Sequence, residues 1–183
     1  MRLKQFHRRL IYVIGMFTKK LLYPKRYLVD LRKCLAGKCC LSTELKSQKG
    51  ATLRLGRLIA ASNVHIVAVK GTRICVGDDC FFNRNCIVVA QKKISIGAGC
   101  SFGPNVCIYD HDHAFGKGGK TEGYTSGEVV IGKNCWIGAG TIILKNTVIG
   151  DNCVIGAGCV VKGNIPAGSL VTMSRELNIR PLE

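Results

Sequence analysis

Aligned from Ile131, the chain repeats every six residues: IGKNCW, IGAGTI, ILKNTV, IGDNCV, IGAGCV, VKGNIP. An earlier block runs VGDDCF, FNRNCI and, after the eight residues VVAQKKIS, IGAGCS and FGPNVC. Position one is aliphatic, with Phe82 and Phe102 as aromatic exceptions, and position two is often Gly. Position five is small: Cys80, Cys86, Cys100, Val106, Cys135, Thr141, Thr147, Cys153, Cys159. Six is not a helical period, and Ile-Gly every six residues would break a helix. A short strand followed by a tight turn does fit. Positions five and one lie two apart along a strand, so both side chains point to the same side. Three such edges close one triangular coil, and stacked coils pair backbone to backbone as parallel sheets along a prism.

Composition agrees with this reading. The chain has 183 residues, 47% hydrophobic but only 7% aromatic, with 22 glycines. That mixture asks for an aliphatic core and many tight turns. The 11 cysteines carry no C-x-x-C ladder of metal-like pairs, and most occupy the recurring position five. They read as free, buried thiols used as small hydrophobes, which suits a reducing cytoplasm.

The formal charge of +16 is lopsided. Residues 1–50 hold thirteen Lys and Arg against Asp30 and Glu44, so the rest is a nearly neutral body. The apolar run Leu10–Phe17 is too short to span a bilayer, and TKKLLY offers no cleavage site. Leu3, Phe6, Leu10, Val13, Phe17 and Leu21 follow helical spacing, which predicts a basic amphipathic helix. Residues 1–30 are thus a candidate for peripheral contact with an anionic membrane; packing on the chain's own domain or on a neighbouring subunit is the alternative. No aromatic-interleaved basic motif points to nucleic acid. The expected location is cytoplasmic, with peripheral contact at the inner face of the cytoplasmic membrane if the arm binds lipid.

The Ile-Gly hexads over roughly residues 70–165 resemble the hexapeptide-repeat acyltransferases, closest to the sugar and polysaccharide O-acetyltransferases of the galactoside, maltose, colanic acid and capsule type. The resemblance implies an all-β fold, a left-handed parallel β-helix forming a triangular prism of hexapeptide coils. The boundaries expected are a helical basic N-terminal arm at 1–50, the prism at 51–168 with a loop insertion at 110–129, and a tail at 169–183. It also implies a homotrimer, acetyl-CoA as co-substrate lying along the groove between prisms, no metal, and a sugar or glycan acceptor.

The hexads stop after Ile108, where YDHDHAFGKGGKTEGYTSGEV intervenes. Function tends to sit where such regularity fails. The insertion holds two of the four histidines, His111 and His113, beside Asp110 and Asp112. Acyl transfer to a sugar hydroxyl needs a base near neutral pKa and a donor for the tetrahedral oxyanion. The resemblance makes His111 the base, at its distance before the Trp-Ile-Gly that begins at Trp136, with His113 as the competing choice or an acceptor contact. Asp112 or Glu128 would orient the imidazole, and Asp112 is also expected, with His113, among the acceptor contacts. Asn83 matches an acceptor-binding asparagine of the family, and equally reads as a turn residue. Trp136, Ala139 and Ala157 match groove positions beside pantetheine, and Lys162 and Pro166 would meet the phosphates and adenine. The family's Gly-x-Pro-Ala segment is missing, and Lys162 is shifted by one.

The leading expectation is therefore an acetyl-CoA-dependent O-acetyltransferase acting on a sugar hydroxyl, in capsule, exopolysaccharide or cell-surface glycan synthesis. An N-acyltransferase on an amino sugar or amino acid is the alternative, and a non-catalytic β-helix scaffold the second. The carbonic anhydrases of the same fold need three zinc histidines on neighbouring coils, and beyond His111 and His113 only His7 and His65 remain.

Overall fold

The computed structural model describes residues 27–29, 38–39 and 44–174. They form a parallel β-solenoid of about six turns, with no helix among the described residues. Each coil contributes one short strand to each of three faces. The first holds β1 (Tyr27–Val29), β2 (Lys38–Cys39) and β3 (Glu44–Ser47); the second β4 (Thr52–Leu55), β5 (Leu58–Ala60) and β6 (His65–Ala68). The third holds β7 (Arg73–Val76), β8 (Cys80–Phe82) and β9 (Ile87–Ala90), and the fourth β10 (Lys93–Ile96), β11 (Ser101–Phe102) and β12 (Cys107–Tyr109). An antiparallel hairpin, β13 (His111–Gly116) and β14 (Gly119–Ser126), then leaves the prism. The stack resumes with β15 (Val129–Ile131), β16 (Trp136–Ile137), β17 (Ile142–Ile149), β18 (Val154–Ile155), β19 (Val160–Ile165) and β20 (Leu170–Val171).

Register runs straight down each face. On the middle face, Ile59 pairs with Phe81, Phe81 with Ser101, Ser101 with Trp136, Trp136 with Val154 and Val154 with Leu170. The last strands β17 and β19 bend round a corner, so each belongs to two faces, and their pairing shifts between Ile143 and Thr147. Three boundaries differ from the sequence expectation. Coil pairing begins N-terminal of residue 51, because β1, β2 and β3 already pair with β4, β5 and β6. Those strands lack the Ile-Gly signature, although Leu45 is buried. At the other end β20 extends pairing beyond residue 168. The insertion is a hairpin, not an irregular loop, and Val129 already belongs to β15. The expected amphipathic helix lies outside the described residues, as does the end of the tail.

The interior contains the two hexad positions the pattern assigns to it. Ile94, Ile108, Ile131, Ile137, Ile143, Ile149 and Ile155 are fully buried, and so are the position-five residues from Cys80 to Cys159. The two aromatic exceptions occupy one another's space: the rings of Phe82 and Phe102 stack at 4.5 Å. The thiols also tie coil to coil. Cys80, Cys100, Cys135 and Cys153 each donate at 3.1 Å to a carbonyl of the next coil, on Gly97, Gly132, Gly150 and Pro166. Burial pushes Cys86 and Cys135 up to about 11, so these thiols stay protonated and act as small packing groups.

Corners are where the chain constrains residue type. Asn63, Asn85, Asn105, Gly140 and Gly158 stack along one edge, all with positive φ, and the three asparagine side chains bond one to the next at 3.0 and 3.1 Å. Gly97 shows the other constraint. A Cβ built there would lie 2.6 Å from the backbone carbonyl of Gly132 in the coil beneath. Gly97→Ala is expected to lower stability by about 1–3 kcal/mol, read as a lower urea midpoint by circular dichroism. Gly118→Ala, whose Cβ would meet nothing within 4 Å, serves as the neutral control. Equal midpoints for the two variants would overturn the close-stacking account.

Candidate active site

The hairpin leaves at the edge joining the face of β12 to the face of β15, and one carboxylate fixes its root. Asp110 is 0% exposed. Its Oδ1 accepts from the backbone N–H of Gln91 at 2.7 Å, and Oδ2 accepts from Lys92 and Lys93 at 2.8 and 2.7 Å. Its own carbonyl accepts from Gly127 N–H at 2.7 Å, closing the base of the hairpin. Alternation explains the burial: Ile108 points inward, so Asp110, two residues on, points inward too. Three N–H donors satisfy what would otherwise be a costly buried charge.

Oδ1 also takes Nδ1 of His111 at 3.1 Å. With backbone donors already aimed at it, the carboxylate is an acceptor toward the ring, so Nδ1 carries the proton and Nε2 presents its lone pair. The His111 side chain is 14% exposed. Tyr109 and Tyr124 stand edge-on to its ring, with centroids at 6.1 and 5.4 Å. Burial, with the neighbouring Cys107 thiol, pushes Tyr109 up to about 12, leaving its phenol a hydrogen-bond donor at neutral pH. His113 lies across the hairpin from Tyr124, with rings 4.7 Å apart, and is exposed. It borders an open concavity of about 500 Å³ that Lys120, Thr121, Glu122, Gly123 and Tyr124 complete.

Neither carboxylate expected to orient the imidazole does so here. Asp112 alternates to the other side of β13 and pairs with Lys145 at 3.0 Å. Lys145 also bonds the hydroxyl of Thr125, which bolts the hairpin to the following coil. Glu128 pairs with Lys93 at 2.9 Å, and that ammonium holds its carboxyl below the usual range. Asp110 holds the role instead, and its inward place in the strand alternation was the available signal.

The remaining candidates fall on other edges. Asn83 follows β8 at the edge between the middle face and the face of β12, where its Oδ1 accepts the N–H of Arg84 at 2.8 Å. Ala139 and Ala157 stack on that same edge in later coils, and Trp136 stands beside them on the middle face, 58% exposed. Gly103 and Gly138 let these corners close up: a Cβ on either would come within 2.6 Å of the alanine backbone beneath. Lys162 sits exposed on the His111 edge, and Pro166 on the third edge, its carbonyl taken by Cys153 and Ser169. One prism therefore brings His111, His113 and Tyr124 together, and separately Trp136, Ala139 and Ala157. It does not join the two groups. Among the described residues no three His, Cys, Asp or Glu converge as metal ligands do. His65 is held between Glu44 and Asn63 at 2.8 and 2.9 Å.

A parallel solenoid with small hexad corners and one interrupting hairpin defines the class of molecule. The family model "Bacterial transferase hexapeptide (six repeats)" matches residues 128–163. Nodulation protein L of Rhizobium meliloti (strain 1021) is 44% identical over 102 residues, 55% of this chain and 56% of that protein. Nodulation protein L of Rhizobium leguminosarum bv. viciae is 45% identical over 100 residues, 54% of this chain and 53% of that one. The chain thus spans about half the length of the curated relatives it matches. Among solved structures, a maltose O-acetyltransferase from Clostridium difficile 630 superposes with a TM-score of 0.52 and 26% identity, covering 92% of this chain and 81% of that one. The repeats at residues 128–163 are thus similar to those of hexapeptide transferases, and the fold is that of the maltose O-acetyltransferase.

Asp110→Asn tests the anchor. An amide must turn its NH2 either toward Gln91 or toward Lys92 and Lys93, facing N–H donors in both cases. The expected loss is about 1–3 kcal/mol in urea unfolding, with faster hydrogen exchange at Gln91–Lys93 and Gly127. Unchanged exchange at those amides would refute the anchoring role.

Proposed function

We propose that this protein is an acetyl-CoA-dependent O-acetyltransferase that acylates a sugar hydroxyl, with His111 as general base. The observation that carries the reading is the imidazole held by buried Asp110 at the longest break in the hexads. The similarity to a maltose O-acetyltransferase along most of the chain supports the reaction class. Nε2 accepts the hydroxyl proton as the sugar oxygen attacks the thioester carbon, and the imidazolium returns that proton to the departing thiolate of CoA. Asp110 keeps the ring in the correct tautomer and balances its transient charge, acting as a positioning residue.

Trp136, Ala139 and Ala157 offer an apolar wall with close backbone approach, as pantetheine requires. Because they lie on a different edge from His111, the complete site needs two apposed prisms, which is why a homotrimer belongs to the proposal. Asn83 then becomes an acceptor contact across the same groove, and Lys162 a partner for a CoA phosphate. Pro166 stays assigned to the adenine end on resemblance alone. The acceptor expected is a capsule, exopolysaccharide or cell-surface glycan precursor.

His113 is a second reading for the base, favoured by its exposure beside the concavity. The two separate by experiment. With acetyl-CoA and a panel of sugar acceptors, His111→Ala is expected to lower kcat by about 100- to 10,000-fold while leaving CoA binding intact. His113→Ala is expected to act mainly on KM for the acceptor. The opposite pattern moves the base to His113. Loss of the acetyl group in mild alkali identifies an ester, and its retention identifies the N-acyl alternative. CoA binding is followed through the single tryptophan, Trp136; no binding would favour the scaffold reading.

A further inference from the structure

The hairpin is not a regular ribbon. His113 pairs with Tyr124 and Phe115 with Lys120. Ala114 alone separates the first members of these pairs, whereas Thr121, Glu122 and Gly123 separate the second members. The extra length on β14 bows outward, helped by Gly123, whose φ of 85° glycine alone adopts freely. Lys120, the bowed residues and Tyr124, with His113 across from them, line the concavity of about 500 Å³. That volume is in the range of small-molecule sites. Its lining suits a polyhydroxylated, uncharged ligand. Tyr124 is 51% exposed, and its ring lies 4.7 Å from that of His113 at a tilt of 35°, so the two present one aromatic platform. The C–H face of a sugar ring packs on such a platform. Glu122 supplies a carboxylate that accepts from hydroxyls, Lys120 an ammonium that donates, and Thr121 a hydroxyl that does both. Charge on the hairpin is mixed: Lys117 and Lys120 stand against Glu122 and Asp112, and Asp112 is paired with Lys145. A phosphate therefore meets no cluster of cations here.

The concavity lies one ring beyond His111. Tyr124 stands edge-on to the His111 ring at 5.4 Å and against His113 at 4.7 Å, so it forms the boundary between the imidazole and the concavity. Strand alternation puts His111, His113 and Phe115 on one side of β13, a row about 13 Å long. Phe115, at its far end, is 77% exposed. A hydroxyl within hydrogen-bond reach of His111 Nε2 leaves room along that row for a further sugar ring. We propose that the bulge of the hairpin holds a second, unreacting sugar unit of the acceptor, with Glu122 as a specificity residue, so that an uncharged oligosaccharide is acylated in preference to a monosaccharide. This rests on the acetyl-transfer reading. The trimer proposed above turns the side of the hairpin that bears His111 toward the cleft between prisms, and the concavity then opens on that cleft.

The test gives the full-length protein acetyl-CoA and two series of acceptors: glucose, maltose and maltotriose, and N-acetylglucosamine with its di- and trisaccharide. The ratio of kcat/KM for the trisaccharide to that for the monosaccharide is expected to exceed one and to fall about 10-fold in Glu122→Ala, as loss of one hydrogen bond to a charged group predicts. Lys117→Ala, in the hairpin turn outside the concavity, should keep the wild-type ratio. Equal turnover of mono- and trisaccharide, or an unchanged ratio in Glu122→Ala, would overturn the proposal. So would a change of oligomeric state in Glu122→Ala by sedimentation velocity, which would make Glu122 an interface contact. Binding is followed apart from turnover, by saturation transfer from protein to sugar in NMR. Trisaccharide contact that Glu122→Ala weakens supports the sugar site even where no acetyl is transferred, an outcome that removes the acetyl-transfer reading alone. Absence of contact with either trisaccharide would remove the sugar site, as would tighter binding of glucose 1-phosphate than of maltotriose.

Discussion

Every corner of the prism must turn the chain while sitting directly on the corner of the coil before it, and that requirement governs the rest. A left-handed residue makes the turn, so Asn or Gly recurs along each edge: Asn63, Asn85 and Asn105 on one, Asp79, Gly99, Asn134 and Asn152 on another. A second small residue lets the backbones approach, as at Gly77, Gly97 and Gly138, where an added Cβ would come within 2.6 Å of the next coil. Only then do the strand hydrogen bonds and the inward Ile and Cys columns fall into register. The aliphatic core is thus a consequence of corner geometry as much as its cause.

The same requirement explains the position of the longest break. On the edge that bears the hairpin, Gly50, Gly71, Asn146 and Gly163 have positive φ, but the turn at Gln91–Lys92 has no left-handed residue. Its N–H groups are satisfied by the Asp110 carboxylate instead. A side chain has taken over what a backbone conformation does elsewhere, and it comes from the residue where the chain leaves the prism. His111 is next in sequence, so the imidazole inherits the rigidity of the anchor.

Much of this was legible in the residues. The period of six identified the inward positions one by one, because a two-residue alternation has no freedom once one member is fixed. The cysteines were readable as core for the same reason. The first coils were not, since strands such as Tyr27–Val29 and Glu44–Ser47 join the sheets without Ile-Gly corners, and register is then set by the neighbour already in place. The hairpin was hidden by its glycines and by the uniformly exposed strand Gly119–Ser126, which carries no burial alternation. Sequence spacing points to Asp112 and Glu128, carboxylates along the insertion, as partners of His111. The decisive residue was Asp110, which belongs to the end of the prism's alternation and not to the insertion.

The two groups of candidate residues lie on different edges because a prism faces outward everywhere. Among the described residues the core of the three-sided solenoid is filled by Ile, Cys and Phe, and the concavity beside His113 lies outside it on the hairpin. The outward column Ile59, Phe81, Ser101, Trp136, Val154 and Leu170 supplies the apolar wall, and the hairpin supplies the polar, titratable one. The trimer proposed above would bring the hairpin edge of one prism to the Trp136 face of another and so unite both walls. Under the acetyl-transfer proposal assembly is then part of the chemistry, because Asp110 and His111 stand on one edge of the prism and the apolar wall on another.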